Sequence, residues 1–225
     1  MHEWAGMLKV GLPAGAEFAL MSVYLLVVYT VSRPFGSAAQ AGFGIGLRII
    51  QACFLPVVAL GIAVAPVAGQ NYGARLGDRV RDTFKTAAVM AVGLMVGLAL
   101  LCWLVPAPMI RTFSDDPQVL AVGTEYLQIS GWSFIASGVI FVASSMFQAM
   151  GNTIPPLITS FLRVGLVSIP VVLLARQPGF ELRWIWYLSV ASIWIHLAAS
   201  YLLLQREFRL RLGAHAAAVP APQQP

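Results

Sequence analysis

The chain has 225 residues, of which 59% are hydrophobic and only 10% charged, with a mean hydropathy of +0.80. Soluble domains carry about 25% charged residues, so so few charges cannot cover a water-exposed surface of this size, and the bilayer is the natural solvent. The net charge of +5 does not point to nucleic acid. The basic residues sit in short loops between apolar runs, where they act as topology signals facing an anionic leaflet.

A spanning helix needs about 20 mostly apolar residues, and six runs of that kind follow one another. The first covers about 10–32 and is too long for the core of a signal peptide, so it is expected to be a retained span. It ends at Arg33-Pro34-Phe35-Gly36. The second covers about 41–69, opens with Gly42, Gly44 and Gly46, and carries Pro56 and Pro66. Small residues in series suggest close helix contact. A polar stretch from Gln70 to Lys85 leads to the third run, about 87–107, which Asp115-Asp116-Pro117 separates from the fourth, about 124–150. Gly151-Asn152 and Pro155-Pro156 separate the fourth from the fifth, about 156–176, which carries Pro170. Gln177-Pro178-Gly179 leads to the sixth, about 183–205. Each internal proline removes a backbone hydrogen bond, so Pro56, Pro66 and Pro170 are expected to kink their helices. Such kinks serve a cavity or packing alone, and the sequence leaves both open.

The expected class is therefore all-α, a polytopic membrane protein with a six-helix bundle. Residues 1–9 are read as an N-terminal segment, 10–207 as the six-helix unit and 208–225 as a disordered, Ala/Pro-rich tail. Eight basic residues (Lys9, Arg75, Arg79, Arg81, Lys85, Arg206, Arg209 and Arg211) fall on one side of the spans, and four (Arg33, Arg111, Arg176 and Arg183) on the other. Both termini are thus expected in the cytoplasm.

Polar groups at membrane depth carry the functional signal. Glu17 is the only carboxylate well inside an apolar run. It lies about 10 Å into its helix at 1.5 Å per residue. An intramembrane carboxylate is costly and is a functional hypothesis by default, here the handling of a proton or cation. The alternative is a hydrated or structurally paired acid. Arg48 and Arg163 lie about two turns inside their helices. Either can snorkel, tie two helices or meet a substrate. A Glu17–Arg163 pair is geometrically possible if the two lie at similar depth. Gln51, Ser144, Ser145 and Gln148 can serve a substrate or tie helices. Tyr24, Tyr29, Phe134, Phe141, Met146 and Phe147 can line an apolar pocket or pack the core. Cys53 and Cys102 fit no metal or redox motif. His2, His196 and His215 are far apart in sequence. No P-loop, CxxC, HExxH or Ser/His/Asp set is present, so neither an enzyme nor a cofactor is expected.

Several segments resemble the multidrug and toxic compound extrusion (MATE) family. They are Gly-Leu-Pro-Ala-Gly at 11–15, Gly-Ile-Gly-Leu-Arg-Ile-Ile-Gln at 44–51 and Ala-Pro-Val-Ala-Gly-Gln-Asn-Tyr-Gly-Ala-Arg at 65–75. Phe-Gln-Ala-Met-Gly-Asn at 147–152, Pro155-Pro156 and Ser-Phe-Leu-Arg at 160–163 extend the likeness. The resemblance implies a twelve-helix fold in two six-helix lobes. At about 20 residues per span this chain holds one lobe, and it is more similar to the C-terminal one.

The resemblance further implies export of drugs or metabolites by alternating access from the plasma (inner) membrane, driven by entry of protons or sodium. It implies partnership with a missing N-terminal half or a second copy, as well as with the lipid bilayer. In some branches carboxylates on the first and fourth helices of this lobe bind the cation. Here the fourth run has no acid in its core, and Glu17 sits earlier in its helix than the sodium-branch carboxylate. This favours a proton over sodium. The site expected on this basis has Glu17 as the proton or cation group and Tyr24, Gln51, Ser144, Gln148 and Arg163 as cleft residues. A self-assembling half-size transporter, a non-transporting membrane scaffold and a lipid-linked sugar flippase are the other readings.

Overall fold

A computed structural model describes residues 2–212 as helices joined by short turns, with no strand among the described residues. Helix α1 covers His2–Ser32, and a short 3-10 turn, Arg33–Phe35, leads to α2, Ser37–Gly73. Helix α3 is Gly77–Leu104, α4 is Pro106–Arg111, α5 is Pro117–Gly131 and α6 is Phe134–Ala149. Helix α7 is Ile154–Leu174 and α8 is Leu182–Glu207, followed by one π-helical turn, Phe208–Leu212.

Among the described residues, five helices are long and apolar enough to cross a membrane, and α5 with α6 make a sixth crossing if the bent pair is one span. Chain breaks fall where turn chemistry requires them. Gly36 has φ 91° and Gly151 φ 69°, a region that only glycine enters without strain. Asp116 caps α5 by accepting a hydrogen bond from the Gln118 amide at 2.8 Å, with Pro117 at the first helical position; both features favour a helix start.

Several boundaries differ from the sequence reading, among them the starts of α3 at Gly77 rather than near 87 and of α5 at Pro117 rather than near 124. The first helix begins at His2 rather than near residue 10. The third ends at Leu104, and a separate turn of helix, α4, follows. Helical structure continues to Leu212, with Phe208 and Leu212 buried, so the expected tail boundary at 208 lies too early; residues 213–225 lie outside the described residues. Finally, the fourth run is not one helix, because α5 and α6 meet at 57°.

That bend has no proline. The Trp132 amide turns to the Ile129 carbonyl and the Ser133 amide to the Ser130 carbonyl, which replaces the i−4 pattern by i−3. The Gln128 carbonyl left over accepts the Trp103 indole N–H at 2.9 Å, and the Trp132 carbonyl accepts that of Trp194 at 3.1 Å. Backbone groups freed at membrane depth need such partners. The prolines behave differently. Helix α2 runs unbroken through Pro56 and Pro66, and α7 through Pro170. Among the described residues, the one pair of helices bent by more than 40° within a candidate span is joined by Gly131-Trp132-Ser133, where two indoles take up backbone carbonyls.

Helix α2 is the central post, packed on α3, α5 and α6, whereas α1 lies chiefly along α7 and barely touches α2. The core has three parts. One joins α1, α2, α5, α7 and α8 around Phe43, Tyr126 and Trp186. Another joins α2 to α6 around Met95, Ile110 and Leu127. The third joins α2, α3, α6 and α8 around Met146, Phe147 and Phe208. The glycines of α2 make close packing possible. A Cβ on Gly46 would stand 2.4 Å from Tyr126 Cδ1, and one on Gly61 2.4 Å from Phe141 Cε1. Gly42 meets α5 in the same way, as the small-residue series implied.

Candidate functional site

Residues 17, 24 and 28 fall on one face of α1, by the 3.6-residue repeat. Tyr24 and Val28 on that face are buried. The same face turns Glu17 toward α6 and α7. Glu17 Oε2 accepts a hydrogen bond from Ser144 Oγ of α6 at 3.2 Å, and Oε1 accepts one from Ser160 Oγ of α7 at 3.1 Å. Both serines are buried, while Glu17 is half-buried. One carboxylate therefore ties three helices, each oxygen served by a neutral hydroxyl. Hydrogen bonds to a charged acceptor are worth about 1.5–3 kcal/mol each. The neighbouring Ser145 turns its hydroxyl back to its own Phe141 carbonyl at 3.0 Å and takes no part.

A second polar layer stands beside Ser160. Thr159 Oγ1 donates to the Pro156 carbonyl at 3.0 Å and accepts from Ser200 Oγ at 3.2 Å. His196 Nε2 of α8 lies 3.1 Å from the same oxygen. The threonine hydroxyl has a single proton, and the carbonyl takes it, so Nε2 is the donor in this contact. Nδ1 is buried without a partner among the described residues.

A third layer holds Arg163. Its guanidinium lies over the Tyr24 ring, 5.3 Å from the centroid, a cation–π contact. Ser189 Oγ donates to the Ile185 carbonyl at 2.7 Å, so the Tyr24 hydroxyl is the donor in its 2.9 Å bond to Ser189. Arg163 Nε is buried without a hydrogen-bond partner among the described residues.

The expected Glu17–Arg163 pair is not formed; no ion pair joins them among the described residues. Helix α1 climbs about 10 Å between Glu17 and Tyr24. Ser160 stands at the carboxylate's level and Arg163 at the ring's. The pair requires the two to lie at similar depth, and Arg163 instead lies against the Tyr24 ring.

The other expected residues separate into two groups. Ser144 and Tyr24 lie inside the helix bundle, and Tyr24 is a buried tie between α1, α7 and α8 rather than an open wall. Gln51 and Gln148 are exposed on α2 and α6. Phe134, Met146 and Phe147 are buried in the core, so they pack rather than line a pocket. The concavities on the outside of α1 are apolar. One, of about 480 Å³, lies between α1 and α7 against Ala16, Leu20, Leu157 and Phe161.

Ser160 and the Thr159–His196–Ser200 cluster escaped the sequence reading. A serine or threonine in a spanning helix is ordinary in sequence. Only the placement of α7 against both α1 and α8 shows which of them meets an acid.

The MatE family model matches residues 13–174 of the chain. Among curated proteins, the chain is 23% identical to the probable multidrug resistance protein NorM of Thermotoga maritima, over 85% of this chain and 40% of that protein. It is 28% identical to the multidrug export protein MepA of Staphylococcus aureus, over 88% of this chain and 44% of that protein. Among solved structures, the Vibrio cholerae MATE transporter VcmN in its bent form superposes with a TM-score of 0.84 at 20% identity. That match covers 93% of this chain and 47% of VcmN. A MOP-superfamily transporter from Pyrococcus furiosus, whose binding pocket is described as of reverse polarity, superposes with a TM-score of 0.82 at 20% identity, over 93% and 47% of the two chains. The chain thus spans about half the length of the relatives it matches.

Proposed function

We propose that this chain, which belongs to the MATE family, forms one six-helix lobe of a secondary transporter that exports small organic molecules against proton entry. Alternating access needs a cleft with two walls, and the half-length match supplies one. The second wall is a further six-helix half or another copy of this chain. The preference for basic residues at one set of loops supports cytoplasmic termini in a plasma (inner) membrane, and the Phe-Gln-Ala-Met-Gly-Asn segment at 147–152 with Arg163 favours the C-terminal half.

The observation that carries the reading is the Glu17 carboxylate, hydrogen-bonded to Ser144 and Ser160 and free of any cationic partner among the described residues. A carboxylate so placed has two ways to be neutralised: a proton on either oxygen, or a metal cation that turns the hydroxyl oxygens toward itself. Sodium is a hard cation that favours several oxygen ligands, and the acid-free sequence of α6 offers no second carboxylate, so the proton is favoured. Protonation would change Glu17 from a double acceptor to a donor and acceptor. One of the two serine bonds would then have to turn over. The contact between α1 and the α6–α7 pair is thereby tied to the charge on Glu17.

Ethidium efflux from cells tests this proposal. The chain is expressed alone and with a six-helix N-terminal half. The proposal expects efflux that depends on the proton gradient and is lost in Glu17→Gln, which mimics the protonated acid, accepting from one serine and donating to the other, and abolishes the charge change. Efflux from the single chain would identify the second copy as the other wall. Retention of full, pH-dependent efflux by Glu17→Gln would remove Glu17 from the coupling. No efflux from either combination, with both halves in the membrane, would favour a non-transporting scaffold.

A further inference from the structure

Arg48 is exposed on α2, and no acid, ring or hydrogen-bond acceptor of the described chain meets it. It follows Ser37, the first residue of that candidate span, by 11 positions. At 1.5 Å per residue that is about 16 Å from the helix start and about two turns inside the apolar run that begins near residue 41. A guanidinium at that depth facing lipid is strongly disfavoured, and charged groups inside membranes face a bundle interior or an aqueous cavity. Snorkelling accounts for arginines near helix ends, and Arg48 is not near one. Gln51, one turn deeper on the same side, is exposed as well, and its short stem reaches no interface.

Below these two groups the exposed side of α2 turns apolar. Ala52, Leu55, Ala59 and Ile62 continue the stripe, Leu55 and Ile62 with more than half their surface open. The stripe therefore presents a fixed cation, then an amide, then a smooth apolar surface.

On the reading that a second lobe faces this one across a cleft, we propose that the exposed face of α2 is a substrate subsite for amphiphilic organic anions. Arg48 takes the carboxylate, sulfonate or phosphate in a bidentate fork, the geometry a guanidinium is built for. Gln51 donates its amide to the same group or to its neighbour. The apolar body lies along Ala52, Leu55, Ala59 and Ile62, where the small side chains admit a flat ring. The anionic group of a lipid has the same chemistry, and the test separates the two sources.

The test is binding, so it needs no transport, and a failure of the efflux proposal leaves it intact; the chain is assembled with a six-helix N-terminal half so that the cleft is present. The assembly is placed in phosphatidylcholine nanodiscs and titrated with fluorescein, an anion, and rhodamine 6G, a cation on the same xanthene ring, with anisotropy as the readout. Fluorescein is expected to bind about tenfold more tightly, which matches one charge-assisted pair. Arg48→Gln is expected to erase that preference, and Arg48→Lys to keep most of it. Gln51→Leu is expected to weaken fluorescein alone, which keeps the proposal testable if Arg48→Gln does not insert. Competition by phosphatidylglycerol in the nanodisc would assign the site to a lipid anion, and its absence to a soluble one. Equal binding of the two dyes, or unchanged fluorescein affinity in a folded Arg48→Gln variant, overturns the proposal.

Discussion

Replacing Gly46 by alanine should destabilise the lobe, although alanine is the better helix former. A Cβ at Gly46 would lie 2.4 Å from Tyr126 Cδ1, against ordinary contacts of about 3.5–4.0 Å. About 1 Å of separation has to be found. Tyr126 cannot supply it, because the ring is buried and packed edge-on against Phe43 and Trp186, with centroids 5.1 and 4.8 Å away. Helix α2 has to lift off α5 instead. Overpacking of this kind costs about 1–3 kcal/mol, which exceeds the gain of about 1 kcal/mol from glycine to alanine in a helix. Gly69→Ala is the internal control. Its Cβ would meet the Ala149 carbonyl at 3.6 Å, an ordinary contact, so helix propensity alone acts there. The assay is thermal unfolding of the purified chain in one detergent, followed by tryptophan fluorescence. Gly46→Ala should melt below the parent, and Gly69→Ala at or above it. Equal melting of the two variants would refute the claim that the Gly46–Tyr126 approach sets the α2–α5 distance.

Two further outcomes follow from buried polar ties. Tyr24→Phe keeps the ring under Arg163 but removes the hydrogen bond to Ser189, whose hydroxyl still donates to the Ile185 carbonyl, at a cost of about 0.5–1.5 kcal/mol. Tyr24→Leu should cost more, since the cation–π contact goes too; the difference between the two melting temperatures reads that contact, and no difference would show it contributes nothing. Trp103→Phe strips the Gln128 carbonyl of its indole donor at the α5–α6 bend. It should lower stability more than Trp184→Phe, where the ring is half exposed and makes no such bond.

Much of the architecture is legible in the sequence because the bilayer imposes few choices. Backbone groups in hydrocarbon must be satisfied within a helix. Six apolar runs of sufficient length thus lead directly to an all-α membrane protein, and Gly36, Asp116-Pro117 and Gly151 mark turns by their own chemistry. The glycine series of α2 likewise announces a close neighbour. Glu17 stands out as a lone carboxylate in an apolar run, whatever surrounds it.

Which neighbours those elements meet is a tertiary matter. Apolar helices lack a single polar face that would announce their partner, so nothing in sequence pairs α1 with α7 rather than with α2. That pairing brings Ser160 to Glu17 and Tyr24 to Arg163, and it gives the arginine a ring rather than the acid as its neighbour. The bend between α5 and α6 arises in the same way. Gly131-Trp132-Ser133 reads as helix until Trp103 and Trp194, from α3 and α8, take up the carbonyls that the bend releases. The sequence determines where polar groups enter the membrane, since their cost is paid by the residue itself. Their partners are decided only by packing, because the groups that satisfy them come from helices up to 165 residues away along the chain.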